Sequence, residues 1–463
     1  MSYAIPEELT YEQISMLYPS TKSEYRRNPT NNTTFANGVD MNMPLNKMAN
    51  SFANPATLVL NFEVAYTLTS TVAVGGANLN AGDGIFVLGN AYSHFSRQVL
   101  KAANGGTIET IDNPSLAVNA LMNMTTSKGE KQALINMGFG TTNNETNAGI
   151  KITAGALAPQ ATTVVYRTYT IPIIGALNTS KFIPLYVSDM ELIETLNNPA
   201  NFIISSSANL TCTFTIQNVE IVYDVLTLEE AGFKELTKSG MIQIKTTSYK
   251  YGSSVLQASA PAGSYDIIYA HQVSSLKKFI WWCSPANNWE GQYGGVNPNL
   301  TDWCLVINST TYPQQRVKVP KVSECVYQNS KAFGSVYSTS HSGSYNRDSF
   351  AKCSVAGTAT TNREYSVYAP ALATAPAPTL ANLQGETMTS AMSNKWYQAL
   401  DLEKINQLKN EIYSGLSSKG STNTFSLNVG VALAAQIHNI NYFTEYDALI
   451  NFDAINGIIS VSD

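Results

Sequence analysis

The heptapeptide from Glu220 to Leu226, EIVYDVL, can be laid over the one from Phe443 to Leu449, FTEYDAL, so that Tyr223-Asp224 and Tyr446-Asp447 recur half a chain apart. The first copy closes the run 209–226, in which Val219, Ile221, Tyr223 and Val225 alternate with the two-residue period of a strand that buries one face. A strand repeated at this spacing constrains the chain to two similar β units in series. Between them the pattern changes. Thr227 to Glu230 have the spacing of a capping box, Phe233 and Leu236 give a short helix an apolar side, and Gly240 stops it. Ile242, Ile244 and Thr246 then fall on one face of a new strand. The expected organisation is an N-terminal arm over 1–55, a first sandwich over 56–226, a helical linker over 227–240 and a second sandwich over 241–463. A long loop and helix insertion occupies residues 350–420.

At 463 residues the chain suits two domains of roughly 200 residues each. Charged residues make up only 13%, hydrophobic residues 44%, and there are 25 tyrosines among many Thr, Ser and Asn. That mixture fits pleated, half-buried sheets and argues against long exposed helices and against disorder. So little charge gives a monomer poor colloidal protection, which favours an obligate oligomer. A net charge of −5 provides no basic field for sequence-independent nucleic-acid binding. No apolar run reaches the roughly 18–20 residues of a spanning helix, and MSYAIPEELTYEQ lacks the basic and apolar regions of a signal peptide, so synthesis in the cytosol is expected.

In chain order, residues 1–55 carry turn formers (Pro19, Pro29, Pro55) without sustained periodicity. Leu58, Leu60, Phe62, Val64, Tyr66 and Leu68 form the clearest strand, each large side chain contributing roughly 1.5–3 kcal/mol on burial before entropy is charged against it. The stretch from His94 to Ala103 and the return Thr107 to Ile111 flank Asn104-Gly105-Gly106, whose positive φ angles predict a hairpin. Asn113 and Pro114 predict a helix start, with Val118, Leu121 and Met122 on one face. Strands are predicted at 162–174, 190–196, 265–270, 276–282, 303–307, 424–434 and 437–452. A helix is predicted from Asp401 to Tyr413. Pro370, Pro376 and Pro378 exclude a central strand from the long excursion 350–393, which is expected to make subunit contacts or an outward projection.

No catalytic constellation emerges. The chain lacks a GxSxG elbow, a GxxxxGK[ST] loop, an HExxH pair and an EF-hand spacing, and Gly138-Phe139-Gly140 is a dinucleotide fingerprint without its third glycine. His94, His271, His341 and His438 have no Cys, His or carboxylate partner at ligand spacing, so no metal or cofactor is expected. The five cysteines, Cys212, Cys283, Cys304, Cys325 and Cys353, are odd in number and contain no CxxC pair, which reads as reduced, buried thiols. Trp281, Trp282, Trp289 and Trp303 are the one aromatic concentration. Packing in a core or an interface is the common use of such residues; a tandem β-sandwich that stacks them on sugars is the alternative. A glycoside hydrolase would need two paired carboxylates, and nothing in the sequence pairs Asp83, Glu109 and Asp302.

Four stretches, taken in order, resemble the double jelly-roll major capsid proteins of DNA viruses, the lineage of adenovirus hexon, virophage and Polinton-type capsids. They are FSRQVLKAANGGTIETIDNPSLAVNALM from Phe95, YTIPIIGALNTSKFIPLYVSDMELIETL from Tyr169, NVEIVYDVLTLEEA from Asn218, and WCLVINSTTYPQQRVKV from Trp303 with the helix-like ECVYQNSKAF from Glu324. The resemblance implies an all-β fold of two consecutive eight-stranded jelly rolls with short helices in loops, and a structural protein, not an enzyme. It implies a homotrimer of pseudo-hexagonal outline, packing with neighbouring capsomers into an icosahedral virion shell around a DNA genome. A penton or minor capsid protein would be a further partner. The acidic surface argues against condensing DNA on a basic arm, and no sequence-specific nucleic-acid binding is expected. The compact chain implies short surface towers.

Overall fold

In the computed structural model, the residues described are 20–126, 150–285, 300–333, 396–404, 413–430 and 437–462, apart from 105, 206, 239, 258, 259, 421 and 422, together with 134, 137, 138 and 295. The first half contains β1 (Ser20–Arg27), β2 (Thr34–Ala36), β3 (Asp40–Leu45), β4 (Ser51–Ala53), β5 (Val59–Ser70), β6 (Gly84–Val87), β7 (Phe95–Ala102) and β8 (Thr107–Asp112). Helix α1 (Pro114–Thr125) follows, then β9 (Ile150–Thr153), β10 (Thr162–Pro172), β11 (Ile183–Pro184), β12 (Met190–Leu196), β13 (Ile203–Ser205) and the long β14 (Leu210–Leu228). Helix α2 (Glu230–Leu236) leads to β15 (Met241–Leu256), β16 (Gly263–Tyr269), β17 (Leu276–Pro285), β18 (Leu300–Ile307) and β19 (Thr310–Lys318). Helix α3 (Val322–Phe333), β20 (Gln398–Asp401), β21 (Asn423–Val429), β22 (His438–Asp453) and β23 (Ile458–Ser462) complete the order.

Both halves have one topology. In the first, β1 and β2 pair along one side of β14, whose other side pairs with β5 and then β10, opposite a sheet of order β3-β12-β7-β8. In the second, the sheets have orders β15-β22-β17-β20 and β16-β21-β18-β19. Counting principal strands from one to eight in chain order, with β1 and β2 as one, each half reads 1-8-3-6 facing 2-7-4-5. That is the jelly roll, two interlocked Greek keys.

The cores follow from strand alternation. Leu60, Phe62, Val64, Tyr66 and Leu68 of β5 all point between the first two sheets and are buried. In the second roll Phe279 packs edge-on against Phe425 across the two sheets, with ring centroids 4.9 Å apart. The hairpin at 104–106 joins β7 to β8 with Lys101 opposite Thr107. Asn113 takes up the left-handed conformation at φ 50° and makes no side-chain cap.

Three expectations are corrected. Residues 20–53 are not an arm: β1 pairs with the end of β14 from Ser20 opposite Leu228 to Arg27 opposite Ile221, and β3 pairs with β12. These strands supply the first two positions of the first roll. They escape a periodicity reading because each is short or interrupted by Pro29, Gly38 and Pro44, and their pairing partners lie far along the chain. Secondly, Thr227 belongs to β14, and α2 begins after Glu229 without a side-chain cap. Phe233 does pack, edge-on to Tyr186 at 4.7 Å, whereas Leu236 is exposed. Thirdly, Asp401 ends a strand where a helix was expected to start. Residues 405–412, 1–19 and the excursion 350–393 lie outside the described residues, as do Phe139 and Gly140.

Candidate intersubunit surface

The adjacent tryptophans Trp281 and Trp282 face opposite sides of β17, as alternation requires. Trp281 points into the second roll, edge-on to Trp303 at 5.3 Å, Trp396 at 5.1 Å and Phe425 at 4.8 Å. Trp282 points out of the sandwich, where it meets Tyr397 at 5.3 Å and stacks on Phe443 at 6.1 Å. Yet Trp282 is 0% exposed, because this outer sheet face is covered. No aromatic platform for sugars forms from Trp281, Trp282 and Trp303, all fully buried. Trp289 lies outside the described residues.

The cover comes partly from the first roll. Asn119 and Asn123 of α1 donate to the Tyr397 hydroxyl at 3.1 and 3.4 Å. At the β15 edge of the sheet, Thr246, which shares the inward face with Tyr446, donates to the Ala176 carbonyl at 3.1 Å, and Thr179 donates to the Lys245 carbonyl at 3.4 Å. The second roll's own α3 adds Asn329, which donates to the Tyr397 carbonyl at 2.9 Å and accepts from the Ala399 amide at 2.7 Å. Two backbone groups on the β20 edge are thereby satisfied. Beneath this cover Asp447 is buried with Lys245 at 3.2 Å, Lys277 at 3.8 Å and the Ser275 hydroxyl at 2.6 Å.

The topologically equivalent face of the first roll is exposed along β10. On β10 the side chains of Thr162, Val164, Tyr166, Thr168 and Thr170 share the outer face, opposite Thr69, Thr67, Ala65, Glu63 and Asn61 of β5. Val164 is 42% and Tyr166 55% exposed. Asp224, the counterpart of Asp447, pairs at 2.7 Å with the solvent-exposed Lys22. Tyr223 stacks on Tyr25, centroids 6.2 Å apart, and Tyr446 lies under the Lys250 ammonium at 4.8 Å. In both rolls the tyrosine is buried and the aspartate looks outward.

The chemistry-bearing residues do not converge. Buried His94 hydrogen-bonds the Tyr66 hydroxyl at 2.7 Å and the Ala91 carbonyl at 2.8 Å; burial pushes its pKa down to about 4. His271 sits between the Thr444 hydroxyl at 2.6 Å and the Tyr251 carbonyl at 3.0 Å, also lowered to about 4 by burial. His438 is buried in β22, and His341 lies outside the described residues. Cys212, Cys283, Cys304 and Cys325 are free thiols, with burial raising each pKa; Cys353 is outside the described residues. Among the described residues no group of three or more His, Cys, Asp or Glu could hold a metal ion. Glu109 is in the first roll, whereas Asp302 lies in the second, bound to Arg316 and to Asn428 at 2.7 Å. Asp83 accepts from the Asn80 amide in a turn. Among the described residues no helix is long and apolar enough to cross a membrane.

No family model matches the chain and no curated protein does. Solved structures do. The Faustovirus major capsid protein superimposes with a TM-score of 0.56 at 8% identity, covering 95% of this chain and 92% of that one. The mavirus major capsid protein gives 0.55 at 10% identity, covering 98% and 93%. A chain of the Sputnik virophage gives 0.54 at 15% identity, covering 100% and 92%. The likeness is one of fold, and it runs through both rolls: the double jelly roll of viral major capsid proteins.

Proposed function

We propose that this chain, which has the double jelly-roll fold of viral major capsid proteins, is itself a major capsid subunit: three copies form a pseudo-hexameric capsomer that tiles an icosahedral shell around a DNA genome. The observation that carries the reading is the unequal cover of two equivalent faces. Within the chain, α1 of the first roll reaches Tyr397 on the outer face of β15-β22-β17-β20, while β8 and residues 175–177 lie along the β15 edge of that sheet. The corresponding side of the second roll is β19 and α3, and the corresponding face of the first is β14-β5-β10. Repeating the same contact between copies puts α3 of one subunit against β10 of the next. Each surface offers an exposed aromatic for it, Tyr327 at 48% on α3 and Tyr166 on β10. Such a contact is head-to-tail, and head-to-tail contacts make rings when the rotation closes. Three copies bring six rolls together.

The neutral, Thr-rich strands are suited to this use, since interfaces are depleted in charge and enriched in tyrosine. The protein then acts by packing, with neither cofactor nor reaction. Its partners are copies of itself, neighbouring capsomers and a penton or minor capsid protein, and its place is the virion.

Light scattering on the purified protein tests the assembly. A particle of three times 50.2 kDa, about 150 kDa, is expected. Replacing Val164 and Tyr166 together with Asp is expected to give a folded 50.2 kDa species. A stable wild-type monomer at assembly concentrations would sink the reading, and glycan binding would then be assayed.

A further inference from the structure

Two sets of unpartnered acceptor atoms, the Gln98 amide oxygen and the Glu194 carboxyl oxygens, belong to residues on directly opposed positions inside the first roll. Gln98 of β7 stands directly opposite Glu194 of β12, on the face shared with Met41 and Ile111 and pointing between the sheets. Gln98 commits its amide nitrogen to the Ile174 carbonyl at 2.8 Å, which leaves Oε1 without a donor. Glu194 is 0% exposed, and neither of its oxygens has a donor among the described residues. Turning the Gln98 amide over does not help, because Oε1 would then oppose the Ile174 carbonyl. The pair is one proton short in either arrangement.

Among the described residues no cation pairs with Glu194. Arg97 and Lys101 of β7 and Asp112 of β8 point to the outer, solvent-exposed side of this sheet, as do Asp40 of β3 and Glu191 of β12. The titratable group near Glu194 is Tyr92, whose hydroxyl donates to the Pro172 carbonyl. An isolated carboxylate in such a place is strongly disfavoured, and a neutral carboxylic acid has the donor that Gln98 lacks.

We infer that the folded chain holds a structural proton on Glu194, donated to Gln98 Oε1, and that this proton latches the seam between the rolls. The latch acts through the segment 172–176. Tyr92 holds its Pro172 carbonyl, Gln98 its Ile174 carbonyl, and Glu109 its Ala176 amide at 2.7 Å. A Cβ on Gly175, which has φ 82°, would collide with the Glu109 carboxyl, so the strap lies directly on it. The other side of Ala176 receives Thr246 of the second roll. Removing the proton sets a carboxylate against Oε1 and pushes Gln98 off Ile174, which loosens the strap carrying the second roll.

The direction of the pH dependence follows from burial. Glu109, beside Ser248 and Tyr249 with Glu445 beyond, is raised by desolvation to about 7, and burial raises Glu194 well above the carboxylate range. Both folded values exceed the unfolded ones, so the stabilisation is complete at acid pH and is lost as pH rises through the folded values, first for Glu109.

The experiment uses the full chain and two readouts. Thermal melts of the wild type are expected to lose at least about 4 °C between pH 6 and 9, and E194Q, which is neutral throughout, to lose less than half as much. Infrared difference spectra of the wild type at pH 6 are expected to show, beside the band of protonated Glu109, the carbonyl band of a second buried acid that E109Q retains and E194Q lacks. Wild-type spectra without that band overturn the inference even where E194Q fails to fold, as does an E194Q alkaline loss equal to the wild type's. Both readouts work on dissociated chains, so they stand apart from the capsid reading.

Discussion

The two rolls share one strand order and treat the same outer face in opposite ways. In the second roll that face is a dry interface of Trp282, Tyr397 and Phe443 over the buried Asp447; in the first it is a Thr ladder with exposed Val164 and Tyr166, and Asp224 pairs with the exposed Lys22. Identical topology therefore does not imply an identical environment. Under the proposed capsid function the difference is what a head-to-tail subunit needs: one copy of the contact would be made within the chain and the other left for a neighbour.

The largest expected effect sets one face against the other in the isolated chain. Trp282→Ala should cost about 3–5 kcal/mol in urea denaturation, whereas Tyr166→Ala should stay within about 0.5 kcal/mol. Equal losses would erase the distinction between a covered and an open face. The repeated Tyr-Asp pair sharpens it. Asp447→Ala removes the buried carboxylate that pairs with Lys245 and accepts from Ser275, leaving Lys277 to Glu403 and Glu445, and should cost about 3–5 kcal/mol, while Asp224→Ala breaks a pair with an exposed lysine and should cost about 0–1 kcal/mol.

Acid should weaken both rolls alike and by less. His94 and His271 are each lowered by burial to about 4, so their contribution is present above the unfolded value near 6.5 and is lost as pH falls toward 4. His94→Gln and His271→Gln should each remove part of the acid loss, read as the slope of stability against pH between 6.5 and 4. A loss confined to one variant would show that the rolls differ in their cores as well as on their faces.

Where a strand buries one face by strict alternation, its place is legible in the residues themselves. β5, β12, β14 and β22 are of this kind, and Asn104 to Gly106 announce the turn between β7 and β8 because a positive φ demands such residues. The strands from Ser20 to Ala53 are not legible. Met41, Met43 and Leu45 do alternate, but over six residues that contain Pro44, and what makes them strands is the edge of β12 and β14 roughly 150–200 residues away. The tryptophans stand out as a concentration, and periodicity implies that neighbours point apart; it does not say that both directions end in a dry environment.

By itself the sequence determined that the chain is two β sandwiches in series with the same closing strand, because a two-residue period and a repeated motif are local properties of the backbone and its side chains. Only the tertiary structure decided which outer face is covered, that residues 20–53 complete the first roll, and that Gln98 and Glu194 stand opposite one another with unpartnered oxygens. Each of those depends on which strand lies beside which. Contacts between distant strands are set by the packing of the whole sheet, and no local pattern encodes them.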